Sequence, residues 1–425
     1  MQYLVDPLKF SDHINRLLKK NDLPQAYALV QYASKSMNCV VSWNSLIVWC
    51  LNNGKMSTAL KIYNEMKKRA QWPDSYTYMH LLRGLGSVSH QPSSVPKAVS
   101  IYHSMFADNA RTKPTPIHLN MVVKACARAG DMDALWGVVS TIGKSGPRPD
   151  SITYNIILNA IQRHAIESLP SNSNDAEAAR HFDRAVLQGR RIWVDIVEQW
   201  RKMELAMHDT LVCAMGRLLL LSWRPRDWDD ILSLLEQTEN VQRVVPRLGT
   251  PAHSHAAPTL NDPSVILAEM EADMPDESLS SRGQEFDHAR KDHAGNLIFA
   301  HPTNNTLSLV LEACLKLTNK KAADGYWKLF TESTWFNIKP DNDNFNFYLR
   351  ILRQNKSSGQ AMRLVQNDMR DAIPLPKTFR IAMSACARNV KNAQAVEHAV
   401  TLITLMAERL DYPDFHPLNT YVKLA

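Results

Sequence analysis

A stretch that opens Val40-Val41-Ser42-Trp43-Asn44-Ser45-Leu46-Ile47 closes at Pro73-Asp74 after 35 residues. A second opens Pro116-Ile117-His118-Leu119-Asn120 and closes at Pro149-Asp150 after the same length. Asn recurs five residues beyond Pro-Asp at Asn155, Asn346 and Asn419, after Asp150, Asp341 and Asp414. A period of this length marks a repeat array, in which each unit buries its apolar face only against its neighbours.

Inside the unit, apolar residues fall at helical spacing over 42–53 and again over 56–69, with Asn53-Gly54 between them. Pro73 ends the second helix, and Asp74 stands where it caps the next one. The expected fold is therefore all-α: a right-handed α-solenoid of helix-turn-helix repeats of about 35 residues. The first helix of each unit would line its concave groove. Cys50, Cys126, Cys314 and Cys386 each lie six residues beyond Asn44, Asn120, Ser308 and Arg380. They mark one helix–helix contact and predict packing, not metal or redox chemistry.

The expected layout runs from a degenerate N-terminal repeat (1–39) to regular repeats over 40–160, divided 40–74, 75–115, 116–150 and 151 onward. A degenerate helical region (161–245) follows, then a mobile loop or insertion rich in Pro, His and acidic residues (246–302). Repeats resume over 303–425 as 304–341, 342–375, 376–414 and a partial 415–425. In 161–245, Trp193, Trp200, Trp223 and Trp228 are expected in the core or in stacking positions. Asp227-Trp228-Asp229-Asp230 reads as the acidic start of a helix over 231–236.

Composition narrows the function classes. Hydrophobic residues make up 45% of 425, which excludes a wholly disordered chain. The apolar runs 40–51 and 211–223 are too short, and interrupted by Asn44 and Arg217, to span a bilayer. Six Cys without Cys-x-x-Cys predict neither a disulfide framework nor a zinc cluster. Residues 1–10 have neither the apolar core of a signal peptide nor the Arg and Ser richness of a transit peptide. Net charge is +7, with basic excess in 1–160 and 303–425 around an acidic centre, as suits a polyanionic partner or a solvated charged face.

These features resemble the pentatricopeptide repeat family: the 35-residue period, the opening at Val40–Ile47, Ala-Leu-Lys-Ile-Tyr-Asn-Glu-Met at 59–66, and the Pro-Asp ending. The resemblance implies single-stranded RNA binding in an organelle, with no cofactor, no metal and no catalysis. Its fifth and last residues form a two-letter base code. This carries over to Asn44 with Asp74 and Asn120 with Asp150, a combination associated with uracil, and to Ser308 with Asp341, which leans to a purine. Met79 with Thr115 and Arg380 with Asp414 fit no letter.

The residues themselves offer what a single-strand reader needs: hydrogen-bonding edges, apolar faces and cations. Asn44, Asn120, Asn155, Asn346 and Asn419 are expected to project from equivalent positions into a shared groove. Val41, Ile117 and Ile152, three residues before an Asn, would sandwich bases. Arg128, Arg163, Lys316 and Arg388, eight residues beyond the code position, would meet phosphate; Arg83, Lys124 and Arg350 are weaker candidates. Each group has a structural alternative: Asp as an N-cap, Asn as a capping or turn residue, and the cations as partners of a helix C-terminus.

Enzymatic motifs are missing: there is no His-x-Glu with Pro-Cys-x-x-Cys, no Walker loop and no His-Glu-x-x-His. The family reading places the chain in mitochondria, in maturation of an rRNA 5′ end during small ribosomal subunit assembly or in mRNA stability and translation. The competing class is a solenoid scaffold that holds a peptide or ribosomal protein.

Overall fold

The computed structural model describes residues 6–89, 91, 93–142, 146–249, 286, 297–369 and 372–424. These contain nineteen helices and no strand. The first nine are α1 (Pro7–Lys19), α2 (Leu23–Ala33), α3 (Val40–Asn52), α4 (Met56–Lys68), α5 (Ser75–Ser87), α6 (Ser94–Ser104), α7 (Pro116–Ala129), α8 (Met132–Val139) and α9 (Ser151–Glu167). Then come α10 (Asp175–Arg201), α11 (Asp209–Leu219), α12 (Pro225–Glu239), α13 (Asn304–Lys316), α14 (Lys320–Glu332) and α15 (Asn342–Gln354). The last four are α16 (Ser358–Arg363, running into a π-helical turn at Leu364–Asp368), α17 (Pro376–Arg388), α18 (Ala395–Arg409) and α19 (Phe415–Leu424).

They form two compact units, Met1–Ser168 and Leu169–Ala425. In the first unit α1, α3, α5, α7 and α9 pack each on the next, and α2, α4, α6 and α8 each pack on the helix they follow. This ladder of first helices backed by second helices is what a unit with one apolar face must build. The second unit has its own ladder, α11, α13, α15, α17 and α19, backed by α12, α14, α16 and α18. The region 161–245, read as degenerate, thus contributes a full helix pair, α11 with α12. Most of the expected loop, 250–285 and 287–296, lies outside the described residues.

Local chemistry explains the period. Asp74 accepts from the Thr77 amide at 2.8 Å while the Asp74 amide donates to the Thr77 hydroxyl at 3.1 Å, a reciprocal cap at the start of α5. Asp150 with Thr153 does the same for α9 and Asp341 with Asn344 for α15. The repeated Pro-Asp is therefore the helix-start signal of the array. Gly130 closes α7 at φ +72°, a left-handed conformation that glycine adopts without penalty.

Between first helices the ruler cysteines Cys50, Cys126, Cys314 and Cys386 are fully buried and unbridged. Burial pushes their thiols up, that of Cys126 to about 12, so they remain protonated packing groups.

The acidic cluster departs from expectation. α12 begins at Pro225, so Asp227, Asp229 and Asp230 lie within its first two turns, and all three are buried. A buried carboxylate needs cations. Arg190 of α10 binds Asp227 and Asp230, Arg247 reaches Asp230 at 2.9 Å, and Arg243 reaches Asp229 at 2.7 Å. The cluster fastens α10 and the segment after α12 to the start of α12. Trp193 and Trp200 are buried as expected, whereas Trp223 is exposed.

Candidate functional site

Asn44 sits one turn into α3, where Asn is a poor helix former, and its side chain reaches the start of the next first helix. Its Nδ2 donates to Asp74 Oδ1 at 3.0 Å and its Oδ1 accepts from the Thr77 hydroxyl at 2.6 Å. Asn120 repeats the arrangement one clamp later: Nδ2 to Asp150 Oδ1 at 3.0 Å, and the Thr153 hydroxyl to Oδ1 at 2.6 Å. Each N-cap carboxylate thus serves two purposes, holding its own helix start and fixing the amide of the preceding unit. The amides do not project freely, as the sequence suggested; Asn44 and Asn120 are 9% and 8% exposed, because the neighbouring helix start covers them. An amide has two N–H donors and two acceptor lone pairs, so each clamp leaves one of either kind, rigidly oriented.

The residues two beyond each N-cap behave in the opposite way. Val41, Ile117 and Ile152 are 47%, 56% and 59% exposed, unusual for branched apolar side chains. Val41, Asn44, Asp74 and Tyr76 line one open cavity of about 990 Å³ bounded by α1, α3 and the start of α5, with Arg16 and Lys19 at its edge. A second cavity, of about 500 Å³, lies between α7 and α9 and gathers Asn155 with Lys124, Arg128 and Arg163. The first cavity thus joins predicted base-reading residues to a predicted stacking residue, and the second joins Asn155 to three of the predicted cations. A slot with two apolar walls, a donor–acceptor edge and a cationic rim suits a flat, hydrogen-bonding ring carrying negative charge.

Two family models match within this unit: the PPR repeat family over residues 38–87, and the pentatricopeptide repeat domain over residues 107–163. Over residues 38–87 and 107–163 the chain carries pentatricopeptide repeats. It is 20% identical to the mitochondrial pentatricopeptide repeat-containing protein 2 of Schizosaccharomyces pombe over 398 residues, 90% of this chain and 77% of that one. It is 28% identical over 178 residues to a mitochondrial pentatricopeptide repeat-containing protein of Arabidopsis thaliana, covering 41% of this chain and 25% of that one. The chain spans between 15 and 34% of the length of the Arabidopsis relatives it matches. Among solved structures it is similar to the pentatricopeptide repeat protein PPR10 in complex with an 18-nt psaJ RNA element, at 14% identity and a TM-score of 0.29, over 97% of this chain and 66% of that one.

The other predicted residues of this repeat protein are placed less uniformly. Asn155 is half-buried and accepts from Asn159 Nδ2 at 2.8 Å. In the second unit Ser308 accepts from Asn344 Nδ2 at 2.7 Å, so Asp341 caps α15 without touching the code residue. Asn346 is 2% exposed; its Oδ1 accepts from Thr378, but its Nδ2 has no partner, because Leu375 stands where an Asp would. Arg380 and Asp414 form an ion pair at 2.5 Å, and Asn419 is exposed.

The cations at the eighth position prove to bind protein carbonyls in two cases. Arg128 Nη1 donates to Gly86 O at 3.4 Å near the end of α5, and Lys316 Nζ donates to Leu220 O at 2.9 Å at the end of α11 while lying over the Trp228 ring. They meet the C-terminus of the preceding first helix, where a cation is favoured. Arg163 pairs with Glu167 at 3.4 Å, and Arg388 is exposed.

Sequence reading missed Thr77 and Thr153, which complete the clamps, and Tyr76 in the cavity wall. The signal was present: Pro-Asp-Ser-x-Thr-Tyr occurs at 73–78 and 149–154. It also missed that α11 has Cys213 at the code position, five residues beyond the N-cap His208.

Proposed function

We propose that this protein binds single-stranded RNA selectively through its first unit and acts by protecting or positioning that RNA, without catalysing a reaction. The single observation that carries the reading is the cavity in which Val41, Tyr76, Asn44 and Asp74 converge beside Arg16 and Lys19. Two side chains that bracket a ring supply stacking, which contributes about 1–3 kcal/mol per base and tolerates any sequence. The clamp supplies the selection. The amide's remaining N–H and Oδ1 lone pair form a donor next to an acceptor, which complements the carbonyl and N3–H of uracil. The family code points to the same base. Charge agrees, since 1–168 holds nineteen Lys and Arg against ten Asp and Glu.

The likeness to a mitochondrial fission yeast protein along most of the chain supports a mitochondrial site of action. Within that compartment we assign it to RNA maturation: small-subunit rRNA 5′-end processing and assembly, or stabilisation and translation of an mRNA. Two measurements test the reading together. Binding of a labelled uracil-containing single strand should weaken steeply with added salt, by roughly one counterion per phosphate contacted. Crosslinking and sequencing from cells should recover one dominant mitochondrial transcript. A chain that shows no RNA affinity at low salt, and recovers a protein partner instead, would refute it.

A further inference from the structure

The residue two beyond the N-cap of each first helix divides the molecule in two. In the first unit these residues are Leu8, Val41, Tyr76, Ile117 and Ile152, with N-caps at Asp6, Cys39, Asp74, Thr115 and Asp150. All five are apolar or aromatic, and all are exposed, from 47% at Val41 to 66% at Leu8. In the second unit the N-caps are His208, Thr303, Asp341 and Leu375, and the matching residues are Thr210, Asn305, Asp343 and Lys377. His416 holds the same place after Asp414. None of the five is an aliphatic or large aromatic wall. Five exposed apolar side chains at one register position, against none in the second ladder, is not how surfaces are ordinarily composed; isolated apolar residues there need no explanation, but a register-locked stripe does.

Charge divides along the same line. The first unit carries nineteen Lys and Arg against ten Asp and Glu, whereas 169–425 carries thirty against thirty-two. Code positions divide likewise. Asn44 and Asn120 are each held by an N-cap Asp, while in the second unit Cys213 has no amide, Ser308 is bound to Asn344, Asn346 Nδ2 meets no carboxylate, Arg380 is neutralised by Asp414 and Asn419 lies exposed on the last described helix.

We propose that base recognition is confined to the first unit and spans four nucleotides, of which two are specified, with one unspecified nucleotide between them. This rests on the RNA-binding reading above. The five walls enclose four intervals. That between Val41 and Tyr76 holds the Asn44–Asp74 clamp, and that between Ile117 and Ile152 holds the Asn120–Asp150 clamp. The interval between them is faced by Met79 and Thr115, which supply no equivalent donor–acceptor pair. Leu8 and Tyr76 are thereby assigned as stacking residues. The second unit has neither walls nor open clamps, so it contributes no base selection.

The test is selection of the full chain against a randomised single-stranded RNA decamer pool, read by sequencing, with affinities of the winners measured by fluorescence anisotropy. The expected result is uracil enriched at two positions one nucleotide apart, with no constraint beyond four positions. Tyr76→Ser and Leu8→Ser, both at exposed positions and checked for unchanged melting, should each weaken binding by about 5- to 150-fold for the loss of one stacking wall. Asn305→Ala with Asp343→Ala should leave both affinity, within about twofold, and the selected pattern unchanged. A pattern constrained over five or more positions, or one altered by the second-unit variants, overturns the confinement while leaving RNA binding intact. Failure of the unmodified chain to bind any RNA overturns the underlying reading and this inference with it.

Discussion

Replacing Asn44 and Asn120 together by Ala separates what the clamps do for the fold from what they do for RNA. On the fold side the loss is small. Asp74 keeps its hydrogen bond to the Thr77 amide at 2.8 Å, and the Thr77 hydroxyl, deprived of Asn44 Oδ1 at 2.6 Å, still has Asp74 Oδ1 at 2.8 Å. The cap on α5 therefore survives, and the same holds for α9 through Asp150 and Thr153. The substitutions remove two partly buried hydrogen bonds at Asn44 and three at Asn120, whose partners are rescued, at about 1 kcal/mol per site. On the binding side each amide offers one N–H and one lone pair to a base. Two neutral bonds of about 0.5–1.5 kcal/mol give roughly 1–3 kcal/mol per clamp, so about 2–6 kcal/mol for both.

Anisotropy titration with a single strand carrying two uracils one nucleotide apart should therefore show a loss of at least about 30-fold. On a strand of the same length without uracil the variant and the parent should differ little, since stacking and phosphate contacts remain. An affinity on the uracil strand that is unchanged, in a variant whose melting temperature has moved by only a few degrees, would refute the assignment of base reading to these amides. The clamps would then be fasteners between helices and nothing more.

Three further outcomes follow from the same contacts. Glu239 is buried with Oε2 unpartnered; burial, with Asp209 adding to it against a bond from Thr306, pushes its carboxyl up to about 8. The folded state therefore holds a proton that the unfolded chain releases, so stability falls as pH rises from about 4.5 to 8, by on the order of 3 kcal/mol at pH 7; Glu239→Gln should melt higher than the parent by a margin that grows over this window, and a constant margin would count against it. Leu375→Asp supplies α17 with an N-cap and the stranded Asn346 Nδ2 with an acceptor, a gain of about 1–2 kcal/mol visible as a rise of a few degrees in melting temperature of the second unit. Arg190→Ala leaves Asp227 and Asp230 buried with one fewer cation and should cost about 3–5 kcal/mol by denaturant titration, whereas removing the fully exposed pair of Lys202 with Glu198 should leave the unfolding midpoint where it is.

What could be read from the sequence follows physical range. The helix pairs and their caps depend on residues a few positions apart, and helical spacing, Pro-Asp starts and Gly breaks encode them locally. The clamp is different. Asn44 touches Asp74 and Thr77 across thirty and thirty-three residues. Sequence gives the recurrence of all three but not that one carboxylate oxygen serves both cap and amide, so function and capping looked like alternatives when they coexist. The eighth-position cations were weighed between phosphate and a helix end; for Arg128 and Lys316 the acceptors are carbonyls of the preceding first helix, a tertiary choice that periodicity cannot carry. The largest gap lay at 161–245. There the code position holds Cys213, the cap is His208, and burial of Asp227, Asp229 and Asp230 depends on Arg190, Arg243 and Arg247 arriving from elsewhere in the chain. A repeat that has lost its polar signature keeps only its apolar spacing, and that spacing is shared by every packed helix. Counting residues from the N-cap, instead of matching residue types, restores the register. It is also what exposes the stripe from Leu8 to Ile152 as a property of one unit and not of the whole array.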